Sequence, residues 1–314
     1  MSFRASSASR GRVLLPTQMG RIPGGLWLHG SVGPTGRVVH QLSGWLAASR
    51  ISFVPGRRVE WHPPIGEESF IEWLREVEHA LKRSIGYWVV HLPADVRRRR
   101  FNLLLFDRDR ISIGFAKLTE NPSNPLSINA LSEFRIIRPK GYWAPELIHH
   151  GRLGGYSFVV TTSMPNVSHG PATFDPEQRR GIVSGIQSRM NHLVAPDVVF
   201  VHGDFGPWNV RALSDGRVAV VDWEEATAGP PAADELWHAV AVRAHSRSEK
   251  ATEQVLRDLP HYSLSDVSVA ARFWQDRLAR PEREEVDTSI PMPPRHRATS
   301  SRIHTVIQAL TAQG

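Results

Sequence analysis

The sequence contains no cysteine. That excludes a disulfide framework, a thiolate metal site and a cysteine nucleophile. It also points to a reducing compartment, so a cytoplasmic location is expected. No apolar run approaches the roughly 18 residues that would cross a bilayer, and no membrane partner is expected. Acidic residues are missing from the first 59 positions, Glu60 being the first. The opening MSFRASSASRGR lacks a signal-peptide apolar core and reads as a frayed basic tail. Neither a G-x-S-x-G nucleophile elbow nor an H-E-x-x-H zinc motif occurs, which removes two hydrolase chemistries.

What remains is an ordinary globular composition, 41% hydrophobic and 22% charged over 314 residues, enough for about two domains. The net charge of +7 is unevenly placed. Residues 1–110 carry 17 basic against 9 acidic residues; residues 111–314 carry 21 against 22. A nucleic-acid binder more often spreads basic residues along a groove with aromatics between them, which makes nucleic acid the less expected partner. The composition permits both it and a nucleotide enzyme, and the motifs must decide. A basic first part followed by a near-neutral one suits an enzyme that holds phosphates on one side and an acceptor on the other.

Along the chain, Phe70, Trp73, Leu74, Val77 and Leu81 recur at helical spacing within 69–86. Three strand-like runs follow at 87–92, 101–107 and 111–118, the last two joined by a hairpin turn at 107–110. A short helix is expected over 127–137 and a strand over 156–162. Asp175-Pro176-Glu177 is a helix start, with an N-cap acid and proline at the first helical position, leading a helix to about Leu193. Val198–Val201 reads as a buried strand, and Ser214-Asp215-Gly216 as the turn of a hairpin. Helices are expected over 232–244, 248–259, 265–278 and 301–312. Strands first and helices later make an α+β protein of two lobes.

The chemistry concentrates in Val201-His202-Gly203-Asp204-Phe205-Gly206-Pro207-Trp208-Asn209-Val210 and in Val221-Asp222-Trp223-Glu224. A buried strand delivers Asp204 onto a kinked loop, Asn209 follows, and Asp222 ends a second apolar strand. Hard oxygen ligands from adjacent strand ends suit Mg²⁺, which takes few protein ligands and leaves the rest to phosphate and water. Phosphoryl transfer divides labour in this way, with one aspartate on the nucleophile and an Asn and an Asp on the metal.

These residues resemble the aminoglycoside phosphotransferase/choline kinase family. His202-Gly203-Asp204 with Asn209 matches its H-G-D-x-x-x-x-N loop, and Asp222-Trp223-Glu224 its D-[FW]-E run. Gly229-Pro230-Pro231-Ala232-Ala233-Asp234-Glu235-Leu236 is similar to its G-P-x-x-x-D-L, with Glu235 where leucine is usual. The resemblance covers about 87–245. It implies a two-lobed protein-kinase-like fold with a small antiparallel-sheet N-lobe and a mainly helical C-lobe. The expected division is a basic extension over 1–60, a nucleotide-binding N-lobe over 61–164 and a catalytic, acceptor-binding C-lobe over 165–314.

By resemblance Asp204 is the catalytic base, Asn209 and Asp222 hold Mg²⁺, and Asp234, with His202, braces the loop. Lys117 is expected to pair with Glu133 and to hold the phosphates of ATP or GTP. No G-x-G-x-x-G is present. The turn that would cover the phosphates carries Arg97, Arg98, Arg99 and Arg100, whose guanidinium groups suit bidentate phosphate contacts. The segment 156–164 is the expected hinge beside the base, with Thr162 and Met164 next to it and Val160 as an apolar wall.

Trp208 is a candidate for stacking on the acceptor, or for packing the loop. Glu224 and Glu225, together with Glu235 and Asp276, suit a cationic acceptor such as an aminoglycoside. The near-neutral second part keeps a neutral sugar or nucleoside equally open. The expected activity is transfer of the γ-phosphoryl group to a hydroxyl of a small molecule, for antibiotic resistance or biosynthesis. The rival readings are a silent kinase-like binding module and a basic nucleic-acid-binding protein.

Overall fold

In the computed structural model the described residues are 2–6, 13–17, 56–92, 100–120, 122–136, 141–165, 169–172, 174–246, 250–279 and 294–312. The larger sheet grows from the hairpin that the sequence announces. Strands β4 (Tyr87–His91), β5 (Arg100–Phe106) and β6 (Ser112–Thr119) pair antiparallel in succession. The Asp107 carboxylate accepts the Ile111 N–H across the tight turn at 2.9 Å. Gly86 lies so close to this turn that a Cβ would stand 2.7 Å from the Arg108 backbone nitrogen, so only glycine lets β4 start there.

On one side β6 pairs with β9 (Tyr156–Thr161), which pairs with β8 (Leu147–Leu153). On the other side β4 meets β2 (Val13–Pro16), then β1 (Ser2–Ser6) and β3 (Gly56–Glu60), all antiparallel. The sheet thus has eight strands, three of them from the first 60 residues. The division expected at residue 60 runs through this sheet, and residues 2–6 of the supposed tail form a strand. The physical reason is apolar: Phe3, Leu14 and Leu15 are buried, and Phe3 meets Trp61 edge-on at 5.9 Å. The short Val13-Leu14-Leu15 run was too brief to announce a strand.

Helix α1 (Glu67–Leu81) lays the expected stripe of Phe70, Trp73, Leu74 and Val77 onto this sheet, with Trp73 edge-on to Phe158 at 5.7 Å. It ends at Lys82 in the left-handed conformation. Helix α2 (Pro125–Ile136) bridges to the second half, with Phe134 against Trp223 at 4.8 Å.

The second half begins with β7 (Tyr142–Trp143), which joins a sheet of order β10 (His169–Pro171), β12 (Val210–Leu213), β13 (Val218–Val220), β7. Helix α3 (Pro176–Met190) starts as expected, with the Asp175 carboxylate accepting the Gln178 N–H at 2.8 Å. Strand β11 (Val199–Val201) pairs with β14 (Thr227–Gly229). Helices α4 (Ala233–Ser246), α5 (Ala251–Arg257), α6 (Leu264–Ala279) and α7 (Pro294–Thr311) close the C-lobe around Leu236, Val240, Trp274 and Ile307. The architecture is the α+β, two-lobed one. Among the described residues no helix is long and apolar enough to cross a membrane.

Candidate active site

Strand β11 is buried on both sides and ends at His202. There the backbone N–H groups of His202 and Gly203 donate to the Asp234 carboxylate, at 2.7 and 3.2 Å. Asp234 comes from the first turn of α4, so helix and loop are locked by one acid. Burial pushes its carboxyl up to about 7, and those two donors oppose the shift without cancelling it. Gly203 has φ +85°, and a Cβ there would run into the Glu225 carbonyl oxygen. The His202 ring is buried and neutral, its pKa driven down to about 3 by desolvation. Its Nε2 lies 3.1 Å from the Val221 carbonyl, and its Nδ1 accepts the Asp204 N–H at 3.3 Å. That pair of contacts fixes the tautomer with the proton on Nε2.

Asp204 therefore arrives on a rigid loop. Its carboxylate accepts from Asn209 Nδ2 at 2.8 Å, Trp237 Nε1 at 3.0 Å and Trp208 Nε1 at 3.1 Å. Burial and then the Asp222 charge raise its pKa to about 7, against the pull of the two indoles. Asn209 also donates to the Asp204 carbonyl at 3.0 Å, which commits its amide nitrogen and leaves Oδ1 as the atom to meet a cation. Asp222 follows β13 in a left-handed conformation, φ 68° and ψ 60°, uncommon for a residue with a side chain and typical of a functional position.

Across the cleft, Lys117 on β6 forms ion pairs with Asp222 and with Glu224, the latter at 2.9 Å. Arg100 on β5 reaches the same Glu224 at 2.5 Å. Burial and the nearby Arg100 work against the Lys117 charge; Asp222 and Glu224 outweigh both and hold its pKa above the ordinary value. Burial likewise disfavours the Glu224 charge, yet the two cations bring its pKa down to about 2. The cleft between the lobes has a volume of about 500 Å³ and is lined by Lys117, Asn209 and Asp222 among others. That is the size of a nucleotide-scale pocket. Asn209 and Asp222 present two hard oxygen donors to it, a set that fits Mg²⁺ completed by phosphate and water. Among the described residues no cluster of three His, Asp or Glu side chains stands as a self-sufficient metal site.

Residues 134–278 match the model of the phosphotransferase enzyme family, APH. The matched segment spans the Asp204 loop, Asp222 and Asp234. No curated protein matches the sequence. Solved structures similar to the chain include an aminoglycoside phosphotransferase in ternary complex with AMP-PNP and hygromycin B. That pair is 13% identical, with a TM-score of 0.49, over 79% of this chain and 98% of that one. Another is a spectinomycin phosphotransferase with ADP and spectinomycin, 10% identical, TM-score 0.47, over 77% and 98%. A third holds GDP and kanamycin, 12% identical, TM-score 0.42, over 77% and 99%.

Within the phosphotransferase frame, Asp204, Asn209, Asp222, Lys117, His202 and Asp234 converge on one locus. Other expected residues stand elsewhere. Glu133 does not meet Lys117: it lies 3.5 Å from His192, because the buried face of α2 is Ser127, Ala130, Leu131 and Phe134. Glu224, expected beside the acceptor, is ion-paired with Lys117 and Arg100 across the cleft. Glu225 is paired with Arg277 at 2.9 Å. Thr162 and Met164 line the cleft, but the Thr162 N–H is taken by the Glu146 carbonyl at 2.9 Å. Val160 points into the sheet core; strand alternation gives Ser157, Val159 and Thr161 to the cleft instead. Arg97, Arg98 and Arg99 lie outside the described residues.

Three participants were missed. Trp237 and Arg277 carry no motif of their own. Asn124 does carry a signal, an Asn before Pro125 at a helix start; its Nδ2 donates to the carbonyls of Glu224 and Ala226, at 3.0 and 2.8 Å.

Proposed function

We propose that the protein transfers the γ-phosphoryl group of ATP or GTP to a hydroxyl of a small molecule. The observation that carries this reading is that Asn209 and Asp222 from the C-lobe line one cleft with Lys117 from the N-lobe, the Asp204 carboxylate being hydrogen-bonded to Asn209. Lys117 and Arg100 face the phosphates. Asn209 and Asp222 would hold Mg²⁺, which supplies charge neutralisation to the transferring group. Asp204 orients the acceptor hydroxyl and accepts its proton. Phosphoryl transfer asks more of placement than of basicity, and the three N–H donors on Asp204 serve that placement.

The acceptor we infer is a neutral hydroxylated molecule rather than a polycation. Of the four acids that suited a cationic acceptor, Glu224, Glu225 and Glu235 are each paired with an arginine or lysine of the chain. Incubation with ATP or GTP, Mg²⁺ and a panel of neutral sugars, nucleosides and aminoglycosides tests both statements by mass gain of one phosphoryl group. Gain on a neutral member, lost in Asp204→Ala by about a thousandfold or more, is the expected outcome. Tight nucleotide binding without gain on any panel member in the parent enzyme would favour a silent binding module. Gain confined to the aminoglycosides would overturn the acceptor class.

A further inference from the structure

The lysine of this cleft takes its carboxylate from an unexpected place. Helix α2, which packs against β8 and the turn at 223–225, turns Ser127, Ile128 and Leu131 toward the cleft and offers Lys117 no acid. The acid comes instead from the turn after Asp222: Glu224 stands 2.9 Å from Lys117 and 2.5 Å from Arg100. That turn is held on three sides. Asn124 binds the carbonyls of Glu224 and Ala226, the Trp223 ring is buried against Phe134, and the Trp223 Nε1 donates to the Val220 carbonyl at 3.1 Å. A carboxylate on so fixed a backbone aligns two long cationic side chains that would otherwise repel each other and sample many rotamers.

We propose that Glu224 is the positioning residue of the nucleotide site, holding Lys117 and Arg100 side by side as a two-cation grip for the triphosphate oxygens. The inference rests on reading the cleft as a nucleotide site. Asp222 also pairs with Lys117 here, through Oδ1, but a cation drawn to Asp222 competes with the lysine for its charge. Glu224 keeps its hold on both cations whichever way Asp222 is engaged. The grip is then built wholly from β5, β6 and the turn after β13, with α2 contributing only the Asn124 brace.

Titration calorimetry with ATP, ADP and adenosine, each with Mg²⁺ and again with a chelator, tests this on the whole chain. Glu224→Gln should weaken ATP and ADP binding by about tenfold to a hundredfold, the range for one hydrogen bond to a charged group. Adenosine binding should stay unchanged, since the base and ribose do not touch the grip. Glu224→Asp should fall between parent and Glu224→Gln, and Glu133→Gln should bind as the parent does. Equal losses for adenosine and ATP would mean a merely structural role and overturn the proposal. So would a phosphate-specific loss in Glu133→Gln with none in Glu224→Gln. A parent that binds none of adenosine, ATP and ADP, and none of GTP, GDP and guanosine in the same titrations, would instead remove the nucleotide reading itself, and the proposal with it.

Discussion

Two histidines beside the Asp204 loop are held without charge by burial, and each links the loop to pH. His238 is buried, and its Nδ1 sits 3.1 Å from the Phe205 carbonyl. Desolvation and then the Arg179 charge drive its pKa to about 4, below the roughly 6.5 of an unfolded chain. The unfolded chain therefore binds the proton first as pH falls, so stability is full above about 6.5 and is lost down toward 4. At pH 5 the loss from this residue is about 2 kcal/mol. His238→Gln should thus show a smaller drop in melting temperature between pH 7.5 and pH 5 than the parent; an unchanged drop would assign the acid sensitivity elsewhere. His202 acts in the same direction.

At the scale of elements, the departure of Glu235 from the family pattern has a physical account. Glu235 is buried in α4 beside Arg179 of α3, equally buried, at 3.6 Å, and Tyr262 donates to it at 2.8 Å. Arg179 also donates to the Asp258 carbonyl after α5. One acid thereby ties α3, α4 and the segment after α5. Replacing it with the usual leucine strands a buried guanidinium, so Glu235→Leu should cost about 3–5 kcal/mol in urea unfolding. The double variant Glu235→Leu with Arg179→Met should recover most of that. Additive losses would mean the two do not act as a pair.

The elements that build the candidate site were legible because they are local. The Asp204 loop, Asp222 and the Asp234 helix start each declare themselves within a few residues. Partners chosen across the chain were not legible. Glu133 and Glu224 are both acids near apolar residues, and only the rotation of α2 sends one to His192 and leaves the other for Lys117. The first strands were hidden for a different reason, since a strand of five or four residues has too few alternations to show a period.

For the whole molecule, the eight-stranded sheet makes the first residues part of the same core as the N-lobe. Leu14 is buried in the cluster that also holds Phe70, Trp73 and Phe101. Leu14→Ala should lower unfolding stability by about 2–5 kcal/mol, the cost of a cavity in a packed core. A loosely attached arm would give almost none, and melting curves of the two proteins decide between these.

The paired indoles on Asp204 have an optical consequence. An acceptor that seats a hydroxyl on that carboxylate comes up against both tryptophan donors, and their rings then emit from altered surroundings. Emission should shift on acceptor addition in the parent and far less in Trp208→Phe. Compounds can then be ranked by light alone, before a single turnover.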